Sequence, residues 1–371
     1  MTSRRLLLFI LLGLAAWVAY MVAQPAVEAL LRVTTPERWD DHTPLRSGAP
    51  DPRDWETLLD LRGPWAFRIG DDPSWSQETT DAADWDSVFV PAAWENEGFF
   101  GYDGFAWYHT TFQLDATAAE RVQTTSPFLL LGRIDDADEV WLNGVYLERG
   151  GRMPPLYATA SFSFRTYRLP PNLLRADGEN VLAIRVYDAE LAGGILEGPV
   201  AVAVPTDRNP ESVPFVEDLA GPWHFRPGDD LAWAAPDMDA TDWLTLHVPS
   251  IWETQGYPDL NGFGWYRKTV SLTDAQLENN LMLVLGAVDD IDQAFVNGVQ
   301  VGSTGDFETL LINDSDWRKE RSYRVPRQAL TAGENVIAIR VYDGTFDGGI
   351  YHGPVALMTV EAYEERESLR L

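Results

Sequence analysis

Short stretches of alternating apolar and polar residues run through most of the chain beyond residue 55, and clusters of Gly, Pro, Asn and Asp separate them. Val, Ile, Phe, Tyr and Trp are frequent in these stretches, and a period of two places one side of each stretch against a core. No long run with the 3.6-residue period of a helix is visible there. The pattern therefore predicts an all-β fold of short strands, with short helical turns around residues 81–85 and 239–243.

The N-terminal residues depart from this pattern. Residues 6–23 read LLLFILLGLAAWVAYMVA, carry no charge and follow Arg4 and Arg5. A run of this length is just able to cross a bilayer, and the flanking basic residues favour a cytoplasmic N-terminus. The alternative is a cleaved signal peptide, but its best small-residue site, at residues 27–29, lies beyond the apolar run. We expect a retained single-pass helix in the inner membrane, with the bulk of the chain in the periplasm or otherwise outside the cytoplasm.

Long blocks of the sequence occur twice. LRGPWAFRIGDDPSW at residues 61–75 returns as LAGPWHFRPGDDLAW at 219–233, and ENVLAIRVYD at 179–188 returns as ENVIAIRVYD at 334–343. A repeat of roughly 150 residues indicates the tandem duplication of a whole domain, since solenoids and propellers repeat at tens of residues. The predicted parts are a membrane anchor at 1–33, a Pro-rich linker at 34–54, domain 1 at 55–205, a linker at 206–212, domain 2 at 213–363 and a C-terminal tail at 364–371.

A cluster of acids is among the repeated features. GRIDDADEVWLNG at residues 132–144 matches GAVDDIDQAFVNG at 286–298, and each copy ends in an Asn-Gly pair that suits a type I′ hairpin turn. Clustered carboxylates bind cations or fix a turn by accepting backbone N–H bonds. The stretch lacks the central Gly and distal Glu of an EF-hand loop, which favours the turn. We therefore predict no cofactor, with a structural calcium ion as the alternative at Asp135, Asp136, Asp289 and Asp290.

Composition excludes several classes of function. The formal net charge of −29 argues against nucleic acid as a partner, because its phosphates would be repelled. The absence of cysteine excludes disulfides, thiolate catalysis and Cys-based zinc sites. The five histidines are scattered, and none accompanies a nucleophile elbow or a second histidine at metal-ligand spacing.

Five motifs recur in the same order in both copies: GPWxFxxGDDxxW, VPxxWExxG, WY, DDxDxxxxNG and RVYDxxxxGGIxxGP. Together they resemble the galactose-binding-like jelly roll, and more narrowly the sugar-binding domain of family 2 glycoside hydrolases, which is also attached to sialate O-acetylesterases. The resemblance covers nearly all of both copies. It implies two tandem jelly-roll β-sandwiches behind one N-terminal transmembrane helix. It implies no reaction, because in such enzymes the chemistry belongs to a separate catalytic domain.

Five tryptophans of the first copy recur in the second. Large aromatic side chains dominate protein cores, and their presence in both copies favours core packing. The alternative is that some stack on sugars, and the residues beside the Gly-rich loops are the best placed for this. The candidate sugar-binding residues are Trp94, Glu95, Tyr102, Trp107, Trp252, Glu253, Tyr257 and Trp265.

No catalytic constellation is evident in the sequence. Glu97 stands in an Asn-Glu pair that resembles the surroundings of a glycosidase acid, but the second copy has Gln255 there and no partner carboxylate is indicated. We therefore expect no enzyme activity. The favoured function is a membrane-anchored structural or docking subunit of a larger membrane protein complex, for example a photosynthetic or respiratory one. The alternatives are a membrane-tethered carbohydrate-binding protein and, third, an enzyme.

The partner surface is expected where the two copies differ. Residues 149–164 are basic and Pro-rich, whereas the matching residues 302–317 are acidic. Exposed aromatic and apolar side chains are what protein interfaces select. The expected partners are an integral membrane complex or other extracytoplasmic proteins, or carbohydrate. The candidate interface residues are Trp39, Trp55, Arg152, Met153, Leu156, Tyr157 and Trp317.

Overall fold

The computed structural model describes residues 50–155, 157–170, 173–258, 260–312 and 316–370. The predicted membrane helix at residues 6–23 lies outside this range, so the anchor and the location that it implies stay predictions. Within the described residues, no helix combines the length and the apolar character needed to cross a bilayer.

Ten antiparallel strands form the first sandwich. They are β1 Trp55–Asp60, β2 Gly63–Ile69, β3 Asp86–Val90, β4 Gly104–Phe112, β5 Phe128–Asp135, β6 Ala137–Leu142, β7 Val145–Gly150, β8 Phe164–Arg168, β9 Asn180–Asp188 and β10 Gly194–Pro205. One sheet has the order β3-β2-β4-β9-β6-β7, and the other has the order β1-β10-β5-β8.

The second sandwich repeats this arrangement. Its strands are β11 Glu217–Asp218, β12 Gly221–Pro227, β13 Leu244–Val248, β14 Gly262–Leu272, β15 Leu281–Asp289, β16 Ile291–Val296, β17 Val299–Thr304, β18 Glu320–Val325, β19 Gly333–Asp343, β20 Gly349–His352 and β21 Ala356–Thr359. The order β13-β12-β14-β19-β16-β17 matches the larger sheet of the first sandwich. In the smaller sheet, β11-β21-β15-β18, the strands β20 and β21 both pair with β15 and take the place of the single strand β10. The prediction of an all-β fold is confirmed.

Alternation along the strands places the core between the two sheets. In β2 the side chains of Trp65 and Phe67 are buried, while Pro64, which lies between Gly63 and Trp65, is exposed. These two side chains share one apolar cluster with Leu131 and Val202 from the opposite sheet. The second sandwich has a matching cluster, so each copy buries a core of its own.

Helices play a minor part in the described chain. Helix α1 spans Ala116–Thr124 and is capped by Asp115, and α2 spans Val360–Leu369 and is capped by Thr359. Most of the predicted tail at 364–371 thus lies in a helix. The short 3₁₀ helices are Pro52–Asp54, Pro73–Ser76, Trp94–Glu97, Pro210–Ser212, Leu231–Ala234, Glu253–Gln255, Gln276–Glu278, Asp316–Arg318 and Arg327–Ala329.

The Asn-Gly pairs form the hairpin turns between β6 and β7 and between β16 and β17. Asn143 and Gly144 have φ values of 54° and 76°, and Asn297 and Gly298 have values of 49° and 79°. Positive φ at both central residues defines the type I′ turn, whose twist matches that of the flanking strands. The repeated Asn-Gly therefore sets the same register in both sandwiches.

Charged side chains join the two sandwiches, which lie within one compact unit. Asp347 of the second sandwich accepts bonds from Arg149 at 2.5 Å and from Arg152 at 2.7 Å. His352 lies 3.1 Å from Glu148. Burial opposes the charged imidazolium, but the bond to Glu148 and nearby carboxylates outweigh it and raise the pKa of His352. The basic end of β7 thus docks on the last strands of the second sandwich.

Replacing Trp223 by Ala should destabilise the second sandwich by about 3–5 kcal/mol, because a large buried ring would leave a cavity. Trp223 is 1% exposed and its indole N–H donates to Leu219 O at 2.8 Å. Urea unfolding followed by fluorescence measures the change. The control is Leu244→Ala at a position that is 62% exposed, which should cost less than about 0.5 kcal/mol. Similar costs for the two variants would contradict the described packing.

Candidate functional site

Three aspartates meet at one end of each sandwich. In the first, Asp135 and Asp136 connect β5 to β6 and Asp188 ends β9; their carboxylate oxygens lie within 4.8 Å of one another. In the second, the matched residues Asp289, Asp290 and Asp343 form the same cluster. Since β6 pairs with β9, the fold brings a turn and a strand end to one place.

The carboxylates of the first cluster accept several local hydrogen bonds. Asp136 accepts from the Thr159 hydroxyl at 2.6 Å and from the Ala189 N–H at 2.9 Å. Asp188 accepts from the Glu190 N–H at 3.3 Å. These bonds fix the loop after β9, as acids do in turns.

The second cluster repeats these loop contacts. Asp290 accepts from the Gly344 N–H at 3.0 Å, and Asp343 accepts from the Thr345 N–H at 3.1 Å. In both sandwiches the middle aspartate of the cluster therefore holds the first residue after the long strand.

Burial makes the first cluster reluctant to carry three negative charges. Burial, with the neighbouring Asp136, raises the pKa of Asp135 to about 7. Burial, with the charge of Asp136, also raises the pKa of Asp188 to about 7. Burial opposes ionisation of Asp136 as well, but its bonds from Thr159 and from the Ala189 N–H outweigh this and lower its pKa. Near neutral pH the cluster thus carries stable charge on Asp136, and its other two carboxyls are poised to gain or lose protons.

A buried arginine holds the acidic turn from behind. Arg165 on β8 donates to Asp138 at 2.6 Å, to Ile134 O at 2.9 Å and to Asp136 O at 3.2 Å. Tyr167 donates to the second oxygen of Asp138 at 2.6 Å. Arg165 and Asp138 have side chains that are 0% exposed, so this ion pair is part of the core.

The second sandwich has the same clamp, in which a buried arginine and a tyrosine hold the third acid of the turn. Arg321 donates to Asp292 at 2.8 Å and to Asp290 O at 2.9 Å, and Tyr323 donates to Asp292 at 2.8 Å. Neither arginine was singled out from the sequence. The signal was present, however, because RTY at 165–167 and RSY at 321–323 recur opposite the third acid of each Asp-Asp-x-Asp stretch.

Steric contact with a tryptophan ring explains why each of the two loops carries a Gly-Gly pair. A Cβ on Gly193 would lie 2.1 Å from the Trp94 ring, and a Cβ on Gly348 would lie 2.1 Å from the Trp252 ring. The Gly193 N–H bonds to Glu95 at 3.3 Å, and the Gly348 N–H bonds to Glu253 at 3.1 Å. The Trp-Glu pair therefore packs under this loop and ties it down.

The candidate sugar-binding tryptophans are in the core, which corrects the alternative that they stack on a sugar. Trp94, Trp107, Trp252 and Trp265 are each 0% exposed. Tyr102 is half-buried and donates to Phe105 O at 2.6 Å. Tyr257 is half-buried against Phe225, and Glu95 and Glu253 hold the loops as described. Large rings preserved in both copies follow the demand of core packing, as the favoured interpretation of the sequence held.

The candidate interface residues are also placed differently from the expectation. Trp317 is 1% exposed, so it is a core residue. Arg152 is buried and pairs with Asp347 of the same chain. Trp55 is half-buried with its ring 5.1 Å from that of Phe128.

Two of the remaining candidates are partly or well exposed, and the other two are not among the described residues. Met153 is half-buried, and Tyr157 is 40% exposed. Trp39 and Leu156 fall outside the described residues.

An aromatic surface lies beside the first acidic cluster. The ring of Tyr157 is 5.4 Å from that of Tyr187, which is 4.8 Å from the ring of Phe105. Tyr157 also lies close enough to Asp136 to help lower the pKa of that carboxyl. Polar carboxylates next to partly exposed rings form the mixed lining that small-molecule sites use.

A side chain of the first sandwich reaches the matched end of the second. Arg152 lies over the Phe346 ring at 5.3 Å, in the loop after β19. Burial lowers the pKa of Arg152 to about 10, and the charges of Asp347 and Asp289 oppose this shift. The second acidic cluster therefore faces a cation that belongs to the protein itself.

Comparison with known proteins supports the resemblance carried by the motifs. Residues 228–347 match the model of the β-galactosidase second all-β domain. A β-galactosidase of Bacteroides ovatus is 31% identical over 97 residues, which are 23% of this chain and 11% of that protein. A β-galactosidase of Vibrio vulnificus is 27% identical over 157 residues, which are 35% of this chain and 14% of that protein. The resemblance to the all-β domains of family 2 glycoside hydrolases is confirmed, and the chain spans about an eighth of the length of these relatives.

Solved structures with similar segments include two β-glucuronidases. That of Bacteroides uniformis is 14% identical, with a TM-score of 0.34 over 80% of this chain and 28% of that one. That of Ruminococcus gnavus is 12% identical, with a TM-score of 0.35 over 77% of this chain and 41% of that one.

The relatives correct two expectations about function. The expected membrane-anchored docking subunit is wrong, because the matching proteins are glycoside hydrolases. The expectation of no enzyme activity is contradicted by the same matches. Both rested on the lack of a recognisable catalytic constellation, which is weak evidence where the matched segments are all-β domains of large hydrolases.

Removing the buried arginine should destabilise the first sandwich by about 3–5 kcal/mol, because Arg165→Met leaves the Asp138 charge buried without its partner. Urea unfolding measures the change. Arg133→Met is the matched control: Arg133 pairs with Glu197 at 2.7 Å, but their side chains are 30% and 59% exposed, so the cost should be below about 1 kcal/mol. Equal costs would show that the clamp does not support the fold.

Glu253 should make the second sandwich less stable as the pH rises. Burial raises its pKa to about 9 from an ordinary 4.5, against the bond from Gly348 and with the help of Asp347. Between pH 4.5 and about pH 9, the unfolded chain has released the Glu253 proton while the folded chain keeps it. The free energy of unfolding therefore falls as the pH rises.

Glu253→Gln should remove this dependence. At about pH 8 the variant should exceed the parent in stability by about 1–3 kcal/mol, and at about pH 4 the two should be nearly equal. Urea unfolding at both pH values measures the difference. A difference that does not change with pH would refute the raised pKa.

Proposed function

We propose that this chain works in the hydrolysis of neutral β-galactosides, in which two tandem jelly-roll sandwiches bind and position the carbohydrate. The observation that carries the proposal is the match of residues 228–347 to the β-galactosidase second all-β domain. The β-galactosidases of Bacteroides ovatus and Vibrio vulnificus support the same reaction class.

The aromatic surface of the first sandwich is the proposed place of contact with the sugar. The apolar face of a galactose ring packs on flat aromatic rings, and Tyr157 is exposed beside Tyr187. The hydroxyl groups of the sugar need acceptors, and the half-buried carboxylate of Asp135 provides one in the first acidic cluster. The buried tryptophans take no part, since their faces are covered by the core.

Charge favours a neutral sugar over an acidic one. The net charge of −29 would repel the carboxylate of a glucuronide. A galactoside carries no charge and loses nothing to this field. The proposal therefore selects β-galactosides among the two sugar classes named for the similar proteins.

The proposal predicts binding of a β-galactoside disaccharide that depends on Tyr157. Calorimetry on the full chain should give binding to the galactoside, with affinity reduced at least about tenfold by Tyr157→Ala through the loss of ring contact. A β-glucuronide of the same size should bind more weakly, and the difference should shrink at high salt.

The matched control for this measurement is Phe307→Ala. Phe307 packs on Phe263 at 6.4 Å in the second sandwich, on the end of that sandwich that Arg152 approaches. It should leave the affinity for the sugar unchanged. A folded chain that binds no β-galactoside, or that prefers the glucuronide, would overturn the proposal.

A further inference from the structure

The two acidic clusters differ in the cations that face them. In the second sandwich, Arg152 reaches across and is attracted by Asp289. In the first, Arg133 and Arg165 act on Asp135, and both pair with carboxylates outside the cluster, as Arg152 does with Asp347. Arg133 pairs with Glu197 at 2.7 Å and Arg165 pairs with Asp138 at 2.6 Å.

One oxygen of the first cluster is left without a donor. Asp188 is 0% exposed, and its Oδ2 atom has no hydrogen-bond partner within the described part of the chain. The other oxygen, Oδ1, accepts from the Glu190 N–H. A buried carboxylate oxygen without a partner is costly, so such an atom points to a missing ligand.

The spacing of the oxygens suits one metal ion. The ligand atoms of Asp135, Asp136 and Asp188 all lie within 4.8 Å of one another. Oxygens on opposite sides of a calcium ion are about 4.6–5.2 Å apart, because each lies about 2.3–2.6 Å from the ion. Three oxygens this close can therefore share a single ion without moving far.

We propose that Asp135, Asp136 and Asp188 bind a divalent cation, of which calcium is the best fit. All three ligands are carboxylates, the hard oxygen donors that calcium prefers, and they include neither the imidazole nor the thiolate that zinc favours. Calcium tolerates irregular geometry and completes its shell with water. Asp135 is half-buried, which leaves the cluster a side open to such water.

This cation site goes beyond the proposed function: it shares Asp135 with the proposed sugar contact, but it is argued from the spacing of the three carboxylates and the unpartnered oxygen of Asp188. In the second sandwich Arg152, which pairs with Asp347, adds a positive charge that acts on Asp289. Binding should therefore be weaker there than at the first of the two clusters that share their sequence pattern. This asymmetry gives the test an internal control.

The experiment uses the full chain, freed of metal by a chelator and studied at about 0.1 M salt to screen diffuse attraction. Terbium replaces calcium as a luminescent probe, excited through nearby rings such as Tyr157 and Tyr187. We expect one equivalent of terbium to bind and calcium to displace it. Saturating calcium should raise the melting temperature by several degrees, because a ligand that binds only the folded state stabilises it.

Three variants locate the site, and circular dichroism checks that each is folded. Asp188→Asn should weaken binding at least about tenfold and abolish the calcium-dependent rise in melting temperature. If Asp188→Asn does not fold, Asp135→Asn at the half-buried position should show the same loss. Asp343→Asn, the matched change in the second sandwich, should leave the site intact.

Three results would overturn the proposal. They are a folded parent chain that binds neither terbium nor calcium, equal binding by the parent and the folded Asp188→Asn or Asp135→Asn variant, and loss of binding only in Asp343→Asn. Sugar binding is measured separately through Tyr157→Ala, so absence of the ion with galactoside binding intact refutes the cation site alone.

Discussion

In each sandwich, the acidic turn depends on an arginine that has been taken wholly out of water. Arg165 is held by Asp138 and Tyr167 and spends its remaining donors on backbone carbonyls, including those of Ile134 and Asp136. A buried ion pair contributes little net stability by itself, because desolvation offsets the attraction. Its value here is geometric, since a planar guanidinium with five donors can hold several carbonyls at fixed directions. The acids of the site are therefore positioned from the core side and not by the surface loops.

The same arrangement explains why the tryptophans are not the recognition surface. Trp94 and Trp252 fill the space under the Gly-Gly loops, where any side chain would collide with their rings. Their neighbours Glu95 and Glu253 bond to the loop backbone. The Trp-Glu motif and the Gly-Gly motif are thus two halves of one packing unit. The surface where Tyr157 and the carboxylates of the first cluster meet lies outside this packing unit, and it is where a ligand is proposed to bind.

The sequence was sufficient to predict the all-β fold and the resemblance to glycosidase domains, because period-two alternation and ordered motifs are local signals. It was insufficient for burial of particular residues. Trp317 has no counterpart in the first copy, and an unpaired tryptophan looks like a surface residue until the strands around it are placed. The roles of Arg165 and Arg321 were missed because their partners lie far along the chain, and pairing at such separations is set by tertiary structure. The acids were found, but a pattern of Asp residues alone does not distinguish a turn from a metal site.

The segment that differs most between the copies does form an interface, and its partner is the other copy. Residues 149–164 were expected to dock on another protein, and Arg149 and Arg152 instead pair with Asp347 of the second sandwich. Asp347 has no acidic counterpart in the first copy, where Ala192 stands at the matching place before Gly-Gly. The two copies carry the same acidic end, and Arg152 of the first copy lies near that end of the second. The matched end of the first copy has the exposed Tyr157 beside its carboxylates, which is why the proposed ligands are assigned to it.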